Sequence, residues 1–103
     1  MILEQAVLTI TPGSEGEFEA AIDQAKEVIA KAHGFRSLKL LRGLEQPSTY
    51  LLLNEWETLQ DHMVGFRESE LFLRWRELIG PYFALPPVVE HFGAAVVTRA
   101  GGG

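Results

Sequence analysis

Cysteine is absent from this 103-residue chain, which excludes disulfide staples, thiolate nucleophiles and most structural zinc sites. Basic clusters are missing too. Nine Lys and Arg residues lie scattered among fourteen acidic ones, for a formal net charge of −5. Without a basic stripe the chain has nothing with which to displace counterions from a nucleic acid. No apolar run approaches the length of a membrane span and no charged-then-apolar leader opens the chain, so the expectation is a cytoplasmic protein without a membrane partner. No glycine-rich loop follows a strand to cradle a nucleotide, no nucleophile elbow precedes a helix, and no paired histidines with a carboxylate mark a metal site. An enzyme of this sequence is therefore expected to work with no bound cofactor and no metal, or with one supplied from outside.

What is plentiful is apolar surface. Hydrophobic residues make up 47% of the chain, against the modest core that one domain of this length can enclose. Residues 1–99 read as that single domain, and Ala100-Gly101-Gly102-Gly103 as a disordered tail.

Ile2 to Thr11 is rich in Ile, Leu, Val and Thr and predicts a strand, stopped by Pro12-Gly13. Ser14 and Glu17 have the spacing of a capping box. Phe18, Ile22, Ala25, Ile29 and Ala32 then recur at helical spacing, with Gly34 as the stop and His33 expected in the last turn. Phe35–Leu44 and Thr49–Glu57 predict two strands joined across Pro47. Thr58 is positioned to cap a short helix that Gly65 interrupts. Ser69 opens another, with Leu71, Phe72, Trp75, Leu78 and Ile79 on one face, and Gly80-Pro81 ends it. Pro86-Pro87 leads into a last strand, Val88 to Thr98. The order β-α-β-β-α-β is the ferredoxin-like α+β arrangement, a four-stranded antiparallel sheet with its helices on one face.

The strand faces carry a second expectation. In the first strand Ile2, Ala6, Leu8 and Ile10 alternate with Leu3 and Val7; in the third, Leu51 and Leu53 alternate with Tyr50, Leu52 and Trp56. The last strand sets Val88 and Phe92 against Val89 in the same way. A sheet face open to water alternates with polar residues. Helices cover one face only, so the other calls for a second copy, and a homodimer joined through the sheet faces is expected.

Eight aromatics fall from Tyr50 onward, interleaved with Asn54, His62, Arg67, Arg76 and His91. An apolar cavity with a few inward polar groups is the usual small-molecule site. Asn54, Trp56, Phe66, Trp75, Arg76 and Tyr82 are the candidate substrate-binding residues, with Trp56 at the pocket mouth. Each aromatic also reads as plain core. His62 and His91 are the candidate catalytic residues, either one a general base or an anchor for a substrate hydroxyl. Each also reads as a buried histidine bonded to backbone.

Thr9-Ile10-Thr11-Pro12-Gly13, a helix opening on Glu17-Phe18, then Gly34-Phe35, Trp56-Glu57-Thr58, and later His62, Phe66-Arg67-Glu68-Ser69, Trp75 and Val89-Glu90-His91-Phe92 run in one order along the chain. That order resembles the antibiotic biosynthesis monooxygenase family, in an uncharacterised bacterial branch. The resemblance implies a dimeric α+β barrel and, in some members, oxidation of phenolic or quinol-like substrates by O2 with no cofactor. The haem-degrading members match poorly. Their first-strand asparagine falls on Ala6, and their haem-ligating histidine falls near Trp75 or Arg76. The leading expectation is thus a cofactor-independent monooxygenase acting on a small aromatic ligand. The rivals are a non-catalytic small-ligand-binding module and a purely structural dimeric domain.

Overall fold

Period-two burial along the strands builds the sheet, and the computed structural model describes it within residues 1–102. β1 (Ile2–Thr9) and β3 (Thr49–Trp56) lie side by side at the centre. β2 (Phe35–Arg42) flanks β3 and β4 (Val88–Phe92) flanks β1, giving the order β2-β3-β1-β4 with every pair antiparallel. The helices α1 (Glu15–Ile29) and α2 (Glu70–Ile79) cover one face. This is the ferredoxin-like α+β architecture expected from the element order. Among the described residues no helix is long and apolar enough to cross a membrane.

The inner face carries Ala6, Leu8 and Ile10 from the first strand and its extension, and Tyr50, Leu52 and Trp56 from β3. Phe18, Ile22, Ala25 and Ile29 of α1 and Trp75 and Ile79 of α2 close over them. At one end of this core Tyr50 is buried against Phe18 and donates its hydroxyl to Glu19 at 2.5 Å. Burial and that bond push its phenol up to about 12, so it serves packing rather than proton transfer.

Several local expectations are corrected. Ser14 makes no side-chain cap. Instead Glu15 accepts from the Gly13 amide at 3.0 Å and from the Ser48 hydroxyl at 2.6 Å, tying the helix start to the β2–β3 connection. Likewise the Ser69 hydroxyl donates backward to the Phe66 carbonyl at 2.6 Å rather than capping α2. His33 lies beyond the end of α1, exposed, with Nε2 3.9 Å from Asp61 Oδ1. Gly34 reverses the chain there with φ +82°, and a Cβ at that position would sit 2.1 Å from Asp61 Oδ2.

The last strand stops at Phe92, well short of Thr98. Among the described residues its only neighbour is β1, and Phe92 already pairs with Leu3. One residue further on, β1 has begun, so the apolar stretch Ala94–Val97 has no strand to join. The first and second strands also end early, at Thr9 and Arg42, Ile10 keeping a single bridge to Phe83. Of the tail at 100–103, Gly103 lies outside the described residues.

Candidate active site

Three polar side chains of the inner face fall on one level of the sheet. Glu4 pairs across with Asn54 of β3 on one side and with His91 of β4 on the other. All three project toward the helices because each occupies an inward position of its strand. Glu4 is 5% exposed and Asn54 1% exposed, a placement that is costly for a carboxylate unless donors surround it.

The donors are present. Asn54 Nδ2 bonds Glu4 Oε1 at 3.1 Å and Trp56 Nε1 bonds the same oxygen at 2.9 Å. His62 Nε2 stands 3.3 Å from it. His62 comes from a wide, π-helical turn over Asp61–Phe66, opened by the Thr58 hydroxyl accepting from the Asp61 amide at 3.1 Å. The turn closes through the five-residue bond from Arg67 N to the His62 carbonyl at 3.1 Å. Such wide turns recur at functional sites because they re-aim side chains that an α-helix would spread. Here His62 and Phe66 are both directed into the interior.

His62 Nδ1 lies 2.8 Å from His91 Nε2. A carboxylate accepts only, so facing Nε2 it favours the His62 tautomer protonated there. His62 Nδ1 then accepts from His91 Nε2–H, and the lone pair left over is on His91 Nδ1. The result is a Glu4–His62–His91 chain of polar contacts running from the interior to the partly exposed edge strand. The ring of His62 is stacked on Trp56 with centroids 5.1 Å apart.

Burial of the His62 ring holds its imidazole below the ordinary histidine range; Glu4 opposes this, while His91 and Arg67 add to it. Below about pH 6.5 the unfolded chain accordingly binds a proton that folded His62 resists. Stability should fall as the pH drops from 7 toward 5, and this contribution should be flat above that range, where both states carry neutral imidazole. Urea midpoints measured across that interval should decline less steeply in His62→Asn than in the wild type. Parallel declines would show that His62 is not the group responsible.

Beside this chain lies a cavity of about 240 Å3, at the small end for ligand sites. Glu4, Asn54 and His62 form its polar end; Phe66, Phe72 and Trp75 supply an aromatic wall. Arg67 and Arg76 line its exposed side, their guanidinium carbons 5.8 and 5.9 Å from the Phe72 ring centre. Of the residues expected from sequence, Asn54, His62, Phe66, Trp75 and Arg76 border this cavity. His91 is outside its wall and reaches it through His62. Trp56 is not at a mouth. It is wholly buried behind the polar row, edge-on to Phe35 at 5.4 Å, with its N–H spent on Glu4. Tyr82, in the short 3-10 turn Gly80–Tyr82, packs beside the core away from the cavity.

Glu4 is the residue that sequence reasoning missed. Its signal was present as a gap: inward positions Ile2, Ala6, Leu8 and Ile10 are apolar and Glu4 alone is charged. Asn54 makes the corresponding gap between Leu52 and Trp56.

Comparison with known proteins places this site in context. A Bacillus subtilis (strain 168) protein, the uncharacterized YczJ, is 42% identical over 92 residues, covering 89% of this chain and 97% of its own. A crystal structure from Bordetella bronchiseptica, whose name places it with the antibiotic biosynthesis monooxygenases, is 41% identical and superimposes with a TM-score of 0.89. That match covers 92% of this chain and 97% of the other. SnoaB, a cofactor-independent oxygenase from Streptomyces nogalater, shares the fold at a TM-score of 0.80 over 96% of this chain and 97% of its own, with 17% identity. The family model for antibiotic biosynthesis monooxygenase matches residues 1–78, three of the four strands and the π-helical turn included. By that match and by its near relatives, the chain belongs to the antibiotic biosynthesis monooxygenase family.

Proposed function

We propose that the chain is a cofactor-independent monooxygenase that oxidises a small phenolic or quinol-like aromatic with O2 in the cavity between the sheet and α2. One observation carries the reading. A buried carboxylate and a histidine, the latter bonded to a second histidine behind it, stand at the polar end of a cavity with an aromatic wall and two arginines on its exposed side.

The chemistry needs little else. A phenol with an open para carbon and one O2 give a para-quinone and one water: one oxygen atom enters the ring and the other leaves with the hydroxyl and ring hydrogens. The substrate supplies all four electrons, so no external reductant enters the balance. What the protein must supply is removal of the phenol proton, a dry cavity, and a fixed orientation for the electron-rich ring. Phe66, Phe72 and Trp75 provide the apolar walls, and the arginines on the open side favour an anionic ring over a neutral one.

We further propose that the working form is a cytoplasmic homodimer joined through the outer sheet face. Leu41, Leu51, Val7 and Val88 make an unbroken apolar row across all four strands on that face. Leu41 and Val88 are 48% and 58% exposed in the single chain.

An oxygen electrode tests the catalytic reading with a panel of naphthols and quinols and no added metal or flavin. The expected result is uptake of one O2 per phenol consumed, with kcat reduced at least tenfold in His62→Ala and His91→Ala. Ligands that bind the wild type without any oxygen consumption would instead favour a binding module of the same fold.

A further inference from the structure

Both nitrogens of His62 face groups of the protein, Nε2 toward Glu4 Oε1 at 3.3 Å and Nδ1 hydrogen-bonded to His91. His62 is therefore poorly placed to take a proton from a ligand. Two acceptor atoms on residues that border the cavity are not committed. Glu4 directs its Oε1 at Asn54, Trp56 and His62, and none of those contacts uses Oε2. Asn54 Oδ1 is buried without a hydrogen-bond partner. Its identity as the oxygen is fixed chemically, because the other amide position donates to a carboxylate and so must be nitrogen. An orphaned buried acceptor costs stability, and here it belongs to a residue that borders the cavity.

We infer that Glu4 Oε2 and Asn54 Oδ1 together recognise a hydroxyl donor on the ligand, with Glu4 as the general base and His62 and His91 as its positioning residues. The ligand class is a hydroxyarene with a free O–H, not its ether. In the proton step the ligand O–H bond breaks, a new O–H bond forms at Glu4 Oε2, and the electron pair stays on the phenol oxygen. Glu4 keeps the proton until it departs with the leaving oxygen as water. The two histidines hold Oε1 in place: His62 by its Nε2, and His91 by fixing which nitrogen of His62 carries the proton. This assignment deepens the monooxygenase reading and rests on it for turnover, but not for binding.

Calorimetry with 2-naphthol and 2-methoxynaphthalene separates the two. These probes share a ring system and differ in the donor hydrogen. The wild type should bind 2-naphthol at least tenfold more tightly. Glu4→Gln can still offer a carbonyl oxygen to Asn54, Trp56 and His62, which turns an NH2 toward the cavity. Both probes can accept from that group, so the preference should collapse to within about twofold. His91→Phe should retain the preference while lowering kcat, with added imidazole restoring turnover. Equal binding of the two probes by the wild type, or binding of neither, overturns the assignment whether or not oxygen is consumed. A preserved preference without oxygen uptake keeps the recognition site and overturns only the monooxygenase reading. Because the wild-type comparison needs no variant, a Glu4→Gln protein that fails to fold does not shelter the inference.

Discussion

Trp56→Ala is expected to lower stability by about 3–5 kcal/mol, the range for removing a large buried aromatic. A domain of this size has roughly 5–15 kcal/mol in all, so much of the population would unfold near body temperature. Two losses combine. The indole is wholly buried, stacked on His62 and within 5.5 Å of the Phe66 ring centre, so its removal opens a cavity that neighbouring rings cannot fill. The same change strips Glu4 of one of its donors and leaves the carboxylate less compensated. Trp56→Phe retains most of the ring contact and loses the donor, so its cost should be smaller. Urea unfolding reads both variants. A shift for Trp56→Ala equivalent to less than about 1 kcal/mol, below the usual cost of such truncations, would mean that this end of the core is much looser than described.

Leu51→Glu is expected to turn the proposed dimer into a monomer. Leu51 lies between Val7 of β1 and Leu41 of β2 on the sheet face that no helix covers. A carboxylate there would be buried without a partner if two copies met, a penalty of several kcal/mol and so a weakening of at least a hundredfold. Sedimentation at micromolar concentration should show the wild type at twice the 11.5 kDa chain mass and the variant at the single-chain mass. The cavity lies on the opposite face of the sheet, so probe binding by the variant reports whether the site needs the second copy. A wild type that sediments as one chain removes the dimer proposal outright.

The parts of the structure that were legible in sequence are those governed by local periodicity. The α1 stripe from Phe18 to Ile29 and the alternation in β1 and β3 come from side-chain geometry within a single element, and the element order then leaves the ferredoxin-like topology as the simple solution. Less legible were features set by distant partners. Nothing local told Trp56 that its N–H would meet a carboxylate fifty-two residues away. The end of β4 at Phe92 depends on where β1 begins, although Ala94–Val97 has strand-like composition. The π-helical turn differs from an α-helical one by a single residue over one turn, too short a span for periodicity to resolve; Gly65 marked only an interruption. For the site itself the useful clue was an exception, the single acid among apolar inward positions. The two histidines were visible as titratable groups, but their pairing depended on which residues the sheet register brought opposite Glu4.

That register ties folding fidelity to chemistry. Asn54, Glu4 and His91 share one transverse line of the sheet, so a slip of β1 by one residue would send the carboxylate to the outer face and bring Leu3 or Gln5 inward in its place. Mispaired molecules would then expose a charge on the face of the proposed dimer contact, and would be disfavoured in that assembly before they could offer a defective pocket. Length changes within the first strand should for that reason be far less tolerated than changes in the loop at 44–47, whose four exposed side chains take no part in the line.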